Sequence, residues 1–495
     1  MSNNPANSFL SRIPRDYVFI LPVILIYAVI HILSIDFVYF WDNVQQISKE
    51  AHWFYENRFA YLLLPGFSEG HEIVGTGYHP PLMGMMTALL WMIFGQHLWI
   101  SHVFIAFWSG LLLYHSFKLF RYYLPDQIFG YAFVVLMLDS TLLTQIAIAA
   151  PDIILLASLV MVMRGIIEKR PLFTAVALVF LVLINGRGML IGMTLYLFSI
   201  IHRMSVDRHD FSFKLLFKSA LPFVPAYLLF SCYLAIYLVN NGWFFSNVDS
   251  PWAEGWKSPE SIGGYLKNMA AFGLRLMENG RFVLWFTALF LLVSIIKNKR
   301  FITIRRELPL IALLVMLFLL FFYFAVSTQI VIGSRYYMGI TLILGILVFK
   351  FLSEYQAEIR VKMYALIVLI FFFTGNFWIY PEKTSKAWDA TLAHIPYYQL
   401  RIEMFDYLET NAYDYSQIGS GFGFSSNQRY VDLKDRDLVI ANSFDLEYFI
   451  YSNISNLPDE HIDALNNFEL WEPVQTFSKG AVFVSLYQNK RKKYE

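Results

Sequence analysis

Five polar positions stand out in a chain that is otherwise mostly apolar: Asp42 in FVYFWDNVQQ, the turn His79-Pro80-Pro81-Leu82, Asp152 in AAPDIILL, Arg187 in INGRGML and Arg335 in GSRYYMG. A carboxylate placed beside a hydroxyl can take its proton, which typically contributes ~10²–10⁴-fold in rate. Arginine holds an anion through planar, paired donors and keeps its charge when half buried. Each position also has a plainer explanation. Asp42 and Asp152 would serve as helix caps, the two prolines as a rigid helix start, and the arginines as side chains reaching for lipid head groups. His71 and Glu72, near His79, fit no metal-binding spacing and read as solvated loop.

The case for chemistry rests on these residues sharing one side of a membrane. With 57% hydrophobic, 18% aromatic and 15% charged residues, the composition is that of a membrane protein. A formal charge of +1 gives no field that would draw nucleic acid, so nucleic acid is not an expected partner. The single cysteine, Cys232, excludes an intrachain disulfide and a thiolate metal cluster. About eleven stretches are apolar enough to be helices crossing the bilayer, several of them short: 17–35, 99–117, 127–147, 153–168, 171–186, 189–203, 216–239, 281–296, 308–326, 337–352 and 361–380. The first is read as a retained span, not a cleaved signal, because no small-residue cleavage site follows it.

Lysine and arginine gather in cytoplasmic loops. If Arg12 and Arg15 keep the N-terminus inside, alternate loops should be basic, and they are: Lys118 and Arg121; Arg164, Lys169 and Arg170; Arg203, Arg208 and Lys214; the run 297–306; then Lys350, Arg360 and Lys362. The intervening loops, with all five polar positions and everything after about residue 380, then fall on the outer face. PLMGMMTALLWMIFG (81–95) is apolar but short and opens on proline, which suits an interfacial or re-entrant helix. Counting it as a span would invert every later loop.

From about residue 381 the chain changes character. DLVIAN (437–442) and GAVFVSLYQ (480–488) read as strands and YYQLRIEMFDYLET (397–410) as a helix. The expected division is therefore a membrane module over 1–380 and a small extracytoplasmic α/β domain over 381–495. With no convergent acid or base motif, that domain is expected to cover the acceptor entrance and to supply no catalytic group.

The arrangement resembles the GT-C glycosyltransferases, in particular the lipid A aminoarabinose transferases and protein O-mannosyltransferases. The resemblance spans about residues 17–380. It lies in an aspartate just after the first span (Asp42), a long outer loop ending in His79-Pro80-Pro81-Leu82, a second outer aspartate (Asp152), Asn185-Gly186-Arg187-Gly188 in place of a Lys-Gly turn, Arg335-Tyr336 before a late span, and the soluble tail. The sequence departs from the family where Asn43 replaces the glutamate that commonly follows the first aspartate, and where Ser101-His102 stands in place of an arginine. The Trp-Trp-Asp motif of oligosaccharyltransferases is absent from the tail.

The resemblance implies transfer of a sugar from a polyprenyl-phosphate lipid to a glycan, lipid or protein acceptor on the outer face of the plasma membrane; a lipid-borne donor removes the need for a nucleotide sugar, and no phosphate-cradling glycine loop is found on a cytoplasmic segment. Asp42 is then the expected base. Asp152 would orient the acceptor, share a metal with Asp42 or fix an arginine. Arg187 and Arg335, with Arg58 as a weaker third, would hold the donor phosphate, and His79, Pro80, Pro81 and Tyr336 would line the substrate loop. A divalent metal is left open, since some members of the superfamily use one and others none. Two further classes compete: a transporter or lipid flippase, against which stand the lack of an inverted repeat and of mid-span acids other than Asp139, and a membrane-anchored binding or assembly protein.

Overall fold

The structure, a computed structural model, describes residues 18–40, 42–66, 72–75, 79–243, 253–297, 305–329, 332–384, 388–421, 424–434, 438–455 and 457–492; Arg12, Arg15, Trp41 and His71 lie outside them. Each of the eleven apolar runs falls on a helix or a helical pair. In chain order these are α1 (Ile20–Leu33), then, after the outer-loop helices α2 (Glu50–Glu56) and α3 (Leu82–Phe94), α4 (Leu98–Tyr123), α5 (Phe129–Met137) with α6 (Ser140–Ala147), α7 (Asp152–Ile167), α8 (Pro171–Ile184) and α9 (Gly186–Ser205). After them come α10 (Phe213–Ala220), α11 (Val224–Asn241), α12 (Ile262–Met277), α13 (Phe282–Lys297), α14 (Leu308–Ser327), α15 (Met338–Tyr355) and α16 (Glu358–Gly375).

Among the described residues, four helices are long and apolar enough to cross a membrane by themselves, and up to six if each bent pair counts as one span. The shorter ones are cut at positions the sequence marks. Asp139 caps α6 by accepting the Leu142 amide (3.1 Å), and α5 and α6 bend there by 53°. Asn185, in extended conformation, separates α8 from α9 and caps the latter by accepting the Gly188 amide (3.2 Å). Gly188 is required at this turn: a Cβ there would meet the Leu181 carbonyl oxygen at 1.6 Å.

Burial separates the inner helices from the outer ones. α7 is buried on almost every side, and α15 is largely so, whereas α11, α13 and α14 present Leu229, Phe290, Leu292, Val293 and Leu319 on an exposed surface. A water-soluble monomer rarely exposes apolar patches of that extent, so the outer ring is a lipid-facing surface. The chain has a polytopic, mostly helical membrane fold.

The ends of the bundle sort as the charge alternation predicts. At one end Arg306 covers the Tyr122 ring (4.1 Å), Lys169 pairs with Asp207 (2.9 Å), Lys350 with Glu307 (3.7 Å), and Lys362 lies over Tyr131 (5.1 Å). At the other, the segment leaving α1 meets the start of α4: the Tyr39 and Ser101 hydroxyls share a 2.6 Å hydrogen bond, and the His102 imidazole lies 3.3 Å from the Phe37 carbonyl. Ser101 and His102, which break the family pattern, thus anchor the segment that carries Asp42. Because α1 ends and α4 begins at this same end, α3 enters and leaves on one side. Its 13 residues span only about 20 Å.

Past Gly375 the chain builds a four-stranded sheet in the order β1 (Ile418–Ser420), β4 (Tyr448–Ser452), β6 (Val482–Asn489), β5 (Trp471–Lys479). β1 pairs parallel with β4; the other pairs are antiparallel, and β2 (Ser426–Asn427) with β3 (Val439–Ile440) forms a separate ribbon. Helix α17 (Pro396–Thr410) covers the sheet with Leu400, Met404 and Leu408. This domain shares one apolar cluster with the bundle. Phe40, Ile148 and Ala150 pack with Trp388, Tyr397 and Tyr398, and the Phe37 ring stacks on Tyr398 at 3.8 Å.

Candidate active site

The polar residues converge where the soluble domain meets the bundle. Asp42 follows α1 and precedes Asn43 and a six-residue π-helical stretch, Val44–Lys49, that runs into α2. Widened turns of this kind occur often at functional sites. Asn43 donates from its side-chain amide to the Ile148 carbonyl (2.7 Å). The glutamate expected here by family pattern has no hydrogen to donate when ionised, so the asparagine has its own structural reason.

Arg335 lies in a short 3-10 turn, Ser334–Tyr337, ahead of α15, and is almost fully buried. Its guanidinium donates to Asp42, and its Nε stands 3.4 Å from Asp389 and 4.0 Å from Asp152. Asp152, at the first turn of α7, is held in turn by Arg187, whose Nη2 donates to it at 2.8 Å. The Arg187 guanidinium lies 3.7 Å over the Tyr336 ring, an arrangement that a lysine would not reproduce. Three carboxylates and two guanidiniums therefore share the site, one negative charge in excess. Among them Asp42 is the most open, with a third of its side chain exposed against 3% for Asp152. Arg187 Nη1 is buried with no hydrogen-bond partner among the described residues, which leaves a donor for an anion.

His79 caps the ring of contacts. Its Nδ1 accepts the Gly186 amide (3.2 Å), so the ring proton resides on Nε2, and Tyr233 donates to its carbonyl (3.3 Å). Burial, with the Arg187 charge beside it, lowers the imidazole to about 3. His79 is thus neutral at any working pH. Pro80 and Pro81 are buried ahead of α3 and set its entry. Arg58 stays apart: it is exposed on the turn after α2, with left-handed backbone (φ 49°), and among the described residues it takes no part in the ion pairs of the cluster. The expected third phosphate ligand is therefore not at the site in this structure.

Two contributions were not legible in the sequence. One is Asp389, delivered by the soluble domain that was expected to bring no group to the site. Its carbonyl accepts from Gln145 on α6 (2.6 Å), its carboxylate faces Arg335, and burial raises its pKa while Arg335 pulls the other way. The other is Arg281, wholly buried at the sharp corner between α12 and α13, where the helices turn by 97°. It donates to both oxygens of Asp139 (2.8 and 2.6 Å) and to the Ser334 carbonyl (2.9 Å), fixing the turn that presents Arg335. Gly280 makes the corner feasible: its φ is +83°, and a Cβ would lie 2.2 Å from the Phe371 carbonyl oxygen. Asp139 interrupting an apolar run was the signal available beforehand.

Among the described residues, no three His, Cys, Asp or Glu side chains converge as a metal-ligand set. The three carboxylates are disposed around a guanidinium instead. Beside them opens a crevice lined by Asp152, Arg335 and Tyr336 together with Leu155, Leu159, Ile191, Leu317 and Phe321. Asp152 and Leu159 are two turns apart on α7, roughly 10 Å, so the apolar lining leads inward from the charges.

Two solved structures of ArnT from Cupriavidus metallidurans, one bound to undecaprenyl phosphate and one in the apo state, match 95% of this chain and 98% of that one, with a TM-score of 0.51 and 12% identity. The chain has the fold of these ArnT structures. At such identity the likeness is one of architecture, and it covers the soluble domain as well as the bundle. No family model and no curated protein matches the sequence.

Proposed function

We propose that the protein is a glycosyltransferase that moves a sugar from a polyprenyl phosphate to an acceptor at the outer face of the membrane. The observation that carries this reading is the cluster itself: a partly open carboxylate ion-paired to a buried arginine, with a second arginine offering an unused donor, beside an apolar crevice. A lipid phosphate needs that combination of cationic grip and apolar surroundings, and one ArnT structure of the same fold holds undecaprenyl phosphate.

In the proposed reaction the acceptor oxygen attacks the anomeric carbon, and the bond from that carbon to the phosphate oxygen breaks. The electron pair leaves on the phosphate, which Arg187 and Arg335 stabilise, and the acceptor proton passes to Asp42. A single displacement inverts the anomeric configuration. Asp152 holds Arg187 flat on Tyr336, and positioning of this kind accounts for several kcal/mol of such barriers. The site end is assigned to the outer face because the opposite end carries the basic loops. The plasma membrane is the proposed location, and the acceptor is a glycan, lipid or protein.

Undecaprenyl phosphate binding to the purified protein tests the grip. Arg335→Ala and Arg187→Ala should each weaken binding at least about tenfold, the factor that 1.4 kcal/mol represents, and lysine at either position should restore only part of it. Unchanged affinity in both alanine variants would remove the assignment.

A further inference from the structure

The soluble domain's Asp389 lies in the donor-phosphate site proposed above, and its position points to a task. We propose that Asp389 is a positioning residue that sets how tightly Arg335 grips the lipid phosphate, so that the soluble domain governs release of the spent lipid. The inference rests on the reading of Arg335 as a phosphate ligand.

Three observations carry it. Asp389 Oδ2 stands 3.4 Å from Arg335 Nε, on the same edge of the guanidinium as the Nη2 that donates to Asp42. Its backbone is pinned, with the carbonyl accepting from the buried Gln145, the flanking Trp388 packed in the cluster that joins domain to bundle, and Ala390 fully buried. The carboxylate cannot withdraw without undocking that segment. Finally, without Asp389 the site already holds two carboxylates for two guanidiniums, so Asp389 is not needed to neutralise Arg335, which Asp42 and Asp152 also face.

An extra negative charge beside an anion site weakens anion binding, and in a partly buried setting it does so by a large factor. The weakening is selective. The sugar-bearing lipid is a phosphodiester with one negative charge, whereas the polyprenyl phosphate left after transfer is a monoester that carries up to two. The fixed charge of Asp389 therefore acts more strongly against product than against donor. It also differs from Asp42 in access: the Asp389 side chain is mostly buried, whereas a third of the Asp42 side chain is exposed.

The test titrates undecaprenyl phosphate against the full chain in nanodiscs. Asp389→Asn and Asp389→Ala should bind it about tenfold tighter than wild type, and Asp389→Glu, which keeps the charge, should return the affinity to near the wild-type value. In an Arg335→Ala background, Asp389→Asn should change the affinity little, because its effect passes through the guanidinium. A residue serving only to dock the domain would weaken binding when replaced. Unchanged or weaker binding in both Asp389→Asn and Asp389→Ala, with Arg335→Ala weakening as expected, would overturn this inference alone. If wild type does not bind the lipid, or Arg335→Ala leaves binding unaltered, the donor-site reading falls first and this inference with it.

Discussion

Arg335 shows how a residue's neighbours decide its chemistry. Its sequence context, GSRYYMG, marks an arginine at the start of an apolar run; the structure surrounds it with Asp42, Asp152 and Asp389. Two of those partners were legible, because the alternation of basic loops puts Asp42 and Asp152 on one face without any knowledge of tertiary contacts. Asp389 was not, because nothing in KAWDATLAH distinguishes it from a solvated tail aspartate and its partner stands far away in the chain. Arg58 failed in the opposite sense. It shares the outer loop with Asp42, but its backbone turns it to solvent. Sequence proximity fixes the side of the membrane and leaves side-chain direction open.

The Arg281 and Asp139 pair belongs to the same scale and makes a stability prediction. Removing one partner from a buried ion pair typically costs 3–5 kcal/mol, because the other charge is left unpaired. Arg281→Met should therefore lower the melting temperature of the detergent-solubilised protein sharply. Adding Asp139→Asn, which keeps an N-cap oxygen for the Leu142 amide while removing the stranded charge, should recover most of the loss. No recovery in the double variant would show that the arginine acts through the Ser334 carbonyl alone.

At the scale of elements, helix identity was largely legible and helix length was not. Continuous apolarity over 127–147 reads as one span, yet Asp139 and Leu138 break it into α5 and α6, since a side-chain cap competes with the helical ladder. Residues 240–280 fall between two expected spans and were read as an outer loop; Ile262 to Met277 form α12 there, capped by Ser261, with Ile262 and Leu266 exposed. Its polar and apolar residues alternate at helical spacing within a stretch too mixed to register as a span.

The joint between α2 and the soluble domain carries two buried histidines. His52 lies edge-on between Trp91 (5.0 Å) and Tyr430 (4.8 Å), and His394 stacks on Phe40 (5.0 Å). Burial lowers both to about 4. A histidine with a depressed folded-state value stabilises fully above its unfolded value near 6.5 and loses that stability as the pH falls toward 4, by about 1.4 kcal/mol per pH unit for each. Melting temperature should accordingly fall between pH 6.5 and 4, and His52→Gln with His394→Gln should flatten that part of the profile relative to wild type. An identical slope in the double variant would show that these histidines do not control the joint.

For the molecule as a whole, the sequence conveyed a helical membrane module followed by an α/β domain, and the strands and helix expected in the tail appear as β3, β6 and α17. What it could not convey is that bundle and tail pack together as one unit. That follows from an apolar cluster built by both, Phe37 and Phe40 against Tyr397 and Tyr398, and from the Tyr39 amide donating to the Val431 carbonyl (2.9 Å). Such pairings join distant stretches of chain and leave no local periodicity to read. The fold shared with the ArnT structures provides the setting, and the cluster beneath the joint gives the account its chemical content.

Its central claim is that Asp42 takes the acceptor proton while the arginines hold a polyprenyl phosphate. Purified Asp42→Asn protein, assayed for sugar transfer from a labelled undecaprenyl-phosphate-linked sugar and for undecaprenyl phosphate affinity, tests it most directly. Asparagine preserves shape and caps a helix about as well as aspartate, so a structural role would leave turnover intact. The account predicts that turnover falls by at least about 10²-fold, with lipid affinity undiminished because a competing carboxylate has been removed from Arg335. Wild-type turnover in Asp42→Asn would contradict it and move the search for the base to Asp152.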